Sequence, residues 1–245
     1  MARNKAMRKV ADIRSPALLP LAPEMNPRPL VQGIPPRRAG RHTASMLGLL
    51  QALEPALAKT PGGKIILFCS ARPREGKTTV ADEFALALTE GSSPNRVVVI
   101  DAGLEHELAQ RYDSVCLPLE RLVPALPRVS LSDVSGDGDR GVVVTTVTHT
   151  NAACRTLLED AETWTRLRAA FDYVLVEMPS LADSPLALSV ARHFDGVVLI
   201  IESGRTRWPI VQHAHEQLQH AGASVLGAFL NKRVFHVPKS LYNRL

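Results

Sequence analysis

Residues 65–79 read Ile65-Ile66-Leu67-Phe68-Cys69-Ser70-Ala71-Arg72-Pro73-Arg74-Glu75-Gly76-Lys77-Thr78-Thr79. The first four residues form a short apolar run, and Val80, Phe84 and Leu88 then recur at helical spacing. Between these segments the spacing matches the pattern G-x-x-x-x-G-K-S/T, with Ala71 in place of the first glycine. A buried strand, this loop and an amphipathic helix, in that order, predict a phosphate-binding loop.

The residue types of the loop suit a bound phosphate. Backbone N–H groups at the start of a helix attract anions, and the helix dipole adds to that attraction. Gly76 allows close approach, Lys77 neutralises phosphate charge, and the Thr78 hydroxyl can bind Mg²⁺. The predicted ligands are ATP or ADP with Mg²⁺, and the alternative is a chance match or a loop that has lost its ligand. The predicted binding residues of the loop are Arg74, Glu75, Gly76, Lys77, Thr78 and Thr79.

Two carboxylates end strands of their own. Asp101 follows the apolar run 97–100, and Glu177 follows the run 173–176. Phosphoryl transfer requires carboxylates that position Mg²⁺ and the attacking group, so these two and Lys77 form the predicted catalytic set. The alternative is that a strand-end carboxylate only caps a loop, and this alternative weighs more for Glu177 than for Asp101.

Helical and strand patterns alternate along the rest of the chain. One helix is expected over 155–170, and another is expected to begin at a Thr206 cap and to stop at Gly222. Apolar strands that alternate with helices predict an α/β fold, in which helices cover both faces of a mostly parallel sheet. The expected strands are 65–68, 97–100, 142–147, 173–176, 197–201 and 224–230.

Composition divides the 245 residues into a tail, 1–42, and a phosphate-loop domain, 43–245. The tail carries nine Lys or Arg against two Asp or Glu, and it contains seven prolines. It is expected to be a disordered tether, with contact to an anionic membrane as the alternative. No specific nucleic acid is expected, because no aromatic residues are interleaved for base stacking. No apolar run approaches the roughly 18 residues of a membrane span, and three unpatterned cysteines indicate a reducing compartment, so a cytoplasmic location is expected.

Several segments, taken in order, resemble the bacterial tyrosine-kinase family of capsular and exopolysaccharide biosynthesis proteins. That family belongs to the larger class of ParA/MinD-like P-loop ATPases, so the resemblance implies the P-loop NTPase fold. It covers about residues 43–245. The segments are Ser70–Thr79, Val97–Ala102, Phe171–Val176 with Pro179, Phe194–Ile200 and Leu226–Asn231.

The resemblance assigns roles to matching positions. Lys77 and Thr78 would hold phosphate and Mg²⁺, Asp101 would be a metal-linked carboxylate that can act as a base, and Asn231 would contact the adenine. It also implies a membrane partner, a polysaccharide co-polymerase or synthase component, at the inner face of the plasma membrane. A homodimer follows by analogy with the class.

Three positions depart from the family pattern. Gly103 stands where relatives carry a second aspartate, Glu177 replaces an aspartate, and Arg74 replaces the glycine of Pro-Gly-Glu-Gly-Lys. The chain also lacks a C-terminal tyrosine cluster, since Tyr242 is the single tyrosine near its end. The expected function is a nucleotide-dependent partner of the polysaccharide machinery with weak or absent tyrosine autokinase activity. The alternatives are an active tyrosine autokinase or ATPase, and a ParA/MinD-like ATPase that positions cargo on membrane or DNA.

Overall fold

The computed structural model of the protein describes residues 44–90, 95–109, 118–126, 142–147 and 152–233. The predicted tail lies outside these ranges, as do Tyr112 and Tyr242. Among the described helices, none has both the length and the hydropathy that a bilayer crossing requires.

Six strands form one sheet in which every neighbouring pair is parallel. The spatial order is β3-β2-β4-β1-β5-β6, so the strand that leads into the phosphate loop lies inside the sheet. Most strand residues are buried on both faces, which explains why the sequence shows continuous apolar runs and no alternation. The strands are β1 (Lys64–Ser70), β2 (Val97–Asp101), β3 (Val142–Thr146), β4 (Tyr173–Glu177), β5 (Gly196–Glu202) and β6 (Val225–Asn231).

Helices cover both faces of this sheet, so the predicted α/β architecture with a parallel sheet is confirmed. The first two helices pack on one face through residues that include Leu49, Leu53 and Phe84. The later helices pack on the other face, where Trp164 and Leu218 are buried. The helices are α1 (Ala44–Leu57), α2 (Lys77–Thr89), α3 (Leu119–Ala125), α4 (Ala152–Glu159), α5 (Ala161–Ala170), α6 (Leu186–Val190) and α7 (Trp208–His220).

Two helix predictions were wrong in detail. The single helix expected over 155–170 is two helices, because the Asp160 side chain accepts the N–H groups of Glu162 and Thr163 and starts a new helix. Thr206 does not cap α7, whose N-cap residue is Arg207 without a side-chain bond. The Thr206 hydroxyl donates instead to the Glu75 carboxylate, far away in the sequence.

The sheet order brings the predicted carboxylates together. Strand β4 lies between β2 and β1, and Asp101 is paired in register with Glu177. Because the strands are parallel, both residues lie at the edge of the sheet where β1 leads into the phosphate loop. The β4 strand end is joined to the chain after β2 by a bond from the Ala102 N–H to the Glu177 carbonyl, 2.9 Å long.

Candidate functional site

The loop between β1 and α2 is shaped by two residues with left-handed backbone. Arg74 has φ 64° and Gly76 has φ 91°. Helix α2 begins directly after Gly76, and no side chain caps its first N–H groups. These N–H groups therefore have no capping side chain, and they lie where a phosphate is expected to bind. Arg74 adopts this left-handed backbone conformation at a position where the family pattern has glycine. For a non-glycine residue the conformation costs about 1 kcal/mol.

The Glu75 side chain connects the phosphate loop to the end of strand β5. It is buried, with Oε2 accepting the Arg72 N–H at 2.9 Å. Oε1 accepts the Glu202 N–H at 3.3 Å and the Thr206 hydroxyl. The carboxylate is therefore fully engaged by the protein, and Glu75 can offer a ligand only its backbone.

Thr78 and Glu177 meet beneath the loop. The Thr78 hydroxyl, on the first turn of α2 and next to Lys77, donates to Glu177 Oε1 at 2.6 Å. The Glu177 carboxylate, at the end of β4, therefore contacts the phosphate loop directly. The structure thus brings together three of the predicted site residues, Lys77, Thr78 and Glu177.

The buried carboxylate of Glu177 is suited to binding a cation. The residue is 4% exposed, and burial raises the pKa of its carboxyl to about 7, against the lowering effects of the Thr78 hydrogen bond and the Lys77 charge. Within the described ranges, Glu177 Oε2 is buried without a hydrogen-bond partner. A buried carboxylate oxygen without a partner is costly, and Mg²⁺ prefers such oxygens as ligands. The residues present therefore fit a Mg²⁺ ion.

Asp101 is engaged differently. Its Oδ1 accepts the Gly103 N–H and its Oδ2 accepts the Ala109 N–H, both at 2.9 Å. His106, with left-handed backbone, brings its Nδ1 to 3.2 Å from the Asp101 carbonyl oxygen. In this arrangement Asp101 folds the following loop back onto the strand end. These bonds leave each oxygen of the Asp101 carboxylate a further lone pair, and its metal and base roles stay predictions.

Asn231, at the end of β6, contacts the loop itself. Its Nδ2 donates to the Glu75 carbonyl at 3.0 Å, and its Oδ1 accepts the Lys232 N–H at 2.9 Å. A Cβ atom on Gly76 would lie 2.2 Å from Asn231 Nδ2, so this approach requires a glycine. Both polar groups of the Asn231 side chain are used within the protein, and the adenine contact stays a prediction.

Sequence reasoning missed two charged residues of the site. Glu107 places its Oε2 3.5 Å from the Thr78 hydroxyl oxygen, and Lys232 donates from Nζ to the Arg74 carbonyl. Glu107 lies in a loop without periodicity, so no pattern marked it. Among the described residues no group of three or more His, Cys, Asp or Glu side chains is arranged to hold a metal.

Comparison with known proteins identifies relatives by sequence, although no protein-family model matches the chain. The tyrosine-protein kinase CpsD of Streptococcus agalactiae is 26% identical over 185 residues, which cover 69% of this chain and 75% of CpsD. The succinoglycan biosynthesis transport protein ExoP of Rhizobium meliloti (strain 1021) is 27% identical over 192 residues, which cover 69% of this chain and 22% of ExoP.

Solved structures agree with the fold. The kinase domain of the Escherichia coli tyrosine kinase ETK superposes with a TM-score of 0.62 at 23% identity, covering 80% of this chain and 78% of that chain. The septum site-determining protein MinD of Pyrococcus horikoshii OT3, in complex with Mg-ADP, gives 0.53 at 19% identity, with 74% and 76% covered. The predicted resemblance, in both sequence and fold, is confirmed.

Proposed function

We propose that this relative of the bacterial tyrosine kinases of capsule and exopolysaccharide biosynthesis binds ATP or ADP with Mg²⁺ and serves as a nucleotide-dependent partner of a membrane polysaccharide co-polymerase or synthase component. The proposal places the protein in the cytoplasm, at the inner face of the plasma membrane. The observation that carries it is the Thr78–Glu177 pair beneath an uncapped helix start, which offers N–H donors for phosphate and oxygen ligands for a cation at one place.

Each site residue then has a defined task. The N–H groups of residues 74–79 surround the β-phosphate, and Lys77 balances its charge. Thr78 and Glu177 would hold Mg²⁺, which would neutralise phosphate charge and orient the phosphate. Asp101 keeps the loop after β2 folded at the same edge of the sheet.

The contacts of the loop support a switch. Glu75 connects the loop to Glu202, the last residue of β5, and to Thr206 beyond it, and Asn231 connects the loop to the end of β6. A nucleotide that draws the loop backbone towards its phosphates must change these contacts, and with them the surface formed by the β5 and β6 ends. A partner that reads this surface would bind with nucleotide-dependent affinity.

Weak turnover is part of the proposal. Gly103 supplies no second carboxylate, and both oxygens of Asp101 are engaged by backbone N–H groups. Tyr173 is the single tyrosine among the described residues. It begins strand β4 and is half-buried, so it is a poor phosphoacceptor. The second candidate, an active autokinase or ATPase, is favoured by one observation, the 2.6 Å approach of Glu177 to Thr78 despite the changed side-chain length.

Calorimetric titration of the full chain with ATP and ADP, with and without Mg²⁺, tests the proposal, with hydrolysis followed in the same sample. Lys77→Ala is expected to abolish binding, and Lys59→Ala, which removes an exposed charge on the turn after α1, is the matched control. Nucleotide binding without turnover supports the switch, and binding with turnover supports the second candidate. Unchanged binding in Lys77→Ala would contradict both.

The remaining associations are tested separately. Sedimentation with vesicles of 30% phosphatidylserine, with and without residues 1–42, tests the membrane contact of the basic tail. Light scattering with and without nucleotide tests the homodimer. A tail deletion that leaves vesicle binding unchanged removes the membrane role of the tail.

A further inference from the structure

Three oxygen-bearing side chains converge on the start of α2. The Thr78 oxygen lies 2.6 Å from Glu177 Oε1 and 3.5 Å from Glu107 Oε2. The hydroxyl has one proton, and the shorter distance assigns it to Glu177. Glu107 therefore faces an oxygen that has no second proton to offer, next to the buried, unpartnered Oε2 of Glu177.

This arrangement concentrates negative charge. Burial is the main cause of the raised pKa of Glu177, and the charges of Asp101 and Glu107 raise that pKa further. Carboxylates that lie close together repel each other, and a bound cation relieves this repulsion. Lys77 offsets part of this charge, but its expected ligand is the phosphate.

The loop after β2 is folded so that Glu107 reaches this point. The bond from the Ala109 N–H to Asp101 Oδ2 closes the loop, and His106 turns it through a left-handed residue. At position 103 a Cβ would lie 3.0 Å from Asp101 Oδ1, so any side chain there would require the Asp101 carboxylate to shift. Glu107 is the acidic side chain of this loop that approaches Thr78.

We propose that Glu107 is a second metal-facing carboxylate, which holds Mg²⁺ at the nucleotide phosphates together with Glu177 and Thr78. The inference rests on the proposed function, because the metal it assigns is the Mg²⁺ of the nucleotide site, and these carboxylates would hold that metal before the nucleotide arrives. It adds a metal ligand from the loop after β2, Glu107, which no sequence pattern indicated. Asp101 is then the positioning residue that keeps Glu107 in place.

A metal titration tests Glu107 without requiring nucleotide. Mn²⁺ binding to the full chain is followed by electron paramagnetic resonance for the wild type, Glu107→Gln and Glu105→Gln. Glu105 is exposed on the same loop, so its variant removes an equal charge and serves as the matched control. Glu107→Gln is expected to weaken Mn²⁺ binding about tenfold, and Glu105→Gln is expected to leave it unchanged.

A second titration separates this inference from the proposed function. ADP affinity is measured for the same three proteins in EDTA and in Mg²⁺, and Glu107→Gln is expected to lose the Mg²⁺-dependent gain while its affinity in EDTA is retained. Equal metal affinity in the wild type and Glu107→Gln, or no Mn²⁺ binding by the wild type, overturns the assignment. If the wild type binds no ADP, the proposed function fails, and the Mn²⁺ titration still decides the role of Glu107.

Discussion

Replacing Glu177 with glutamine should change how the stability of the metal-free protein depends on pH. Burial raises the pKa of Glu177 from 4.5 to about 7. Between these two values the folded protein keeps a proton that the unfolded chain has released. The raised pKa therefore stabilises the folded state fully below pH 4.5, and this stabilisation is lost as the pH rises through 7. A shift of this size corresponds to about 3 kcal/mol of unfolding free energy.

Glutamine does not titrate, so Glu177→Gln lacks this part of the pH dependence. Urea unfolding in EDTA at pH 5, 6, 7 and 8 gives the free energy for the wild type, the variant and Glu54→Gln, which removes an exposed carboxylate on α1. Between pH 5 and pH 8 the wild type should lose about 2 to 3 kcal/mol relative to Glu177→Gln. The Glu54→Gln protein should follow the wild type. Parallel pH curves for the wild type and Glu177→Gln would refute the reasoning, because they would mean that Glu177 is ionised at little cost.

Three further outcomes follow from local geometry. Asp160→Ala removes the cap of α5 and should lower the free energy of unfolding measured with urea, whereas Asp160→Asn should retain most of the wild-type stability. Gly76→Ala places a Cβ 2.2 Å from Asn231 Nδ2 and should abolish ADP binding in calorimetry. Gly204→Ala, at a similar φ but with nothing within 4 Å, is the control and should bind ADP normally. Burial raises the pKa of Cys69 to about 12, so its thiol should resist iodoacetamide at pH 8 until the protein unfolds, as peptide mass spectrometry would show.

The strands and the phosphate loop could be predicted because their signals are local. An apolar run such as Val97–Ile100 is buried on both faces, so its composition already specifies a strand inside a parallel sheet. The loop carries its own spacing, and Val80, Phe84 and Leu88 mark the buried face of the helix that follows. In these segments the local pattern and the tertiary structure favour the same conformation.

The errors arise where a local signal competes with another interaction. The apolar pattern continues across Asp160, which hid the cap that divides α4 from α5. Thr206 has the chemistry of a cap, but its hydroxyl finds the carboxylate of Glu75, 131 positions earlier in the chain. Glu107 approaches Thr78 only because the loop after β2 folds back, and no periodicity encodes that fold.

The position of β1 inside the sheet has a consequence for how the loop is held. On one side, Glu75 is anchored to Glu202 at the end of β5 and to Thr206 beyond it. On the other side, Thr78 is anchored to Glu177 at the end of β4. A ligand that moves the loop backbone acts on the first set of anchors, and a cation between the carboxylates acts on the second. The loop is therefore fixed to the sheet on both sides of β1, so a displacement of its backbone has to break side-chain contacts to the end of β4, to the end of β5, or to both.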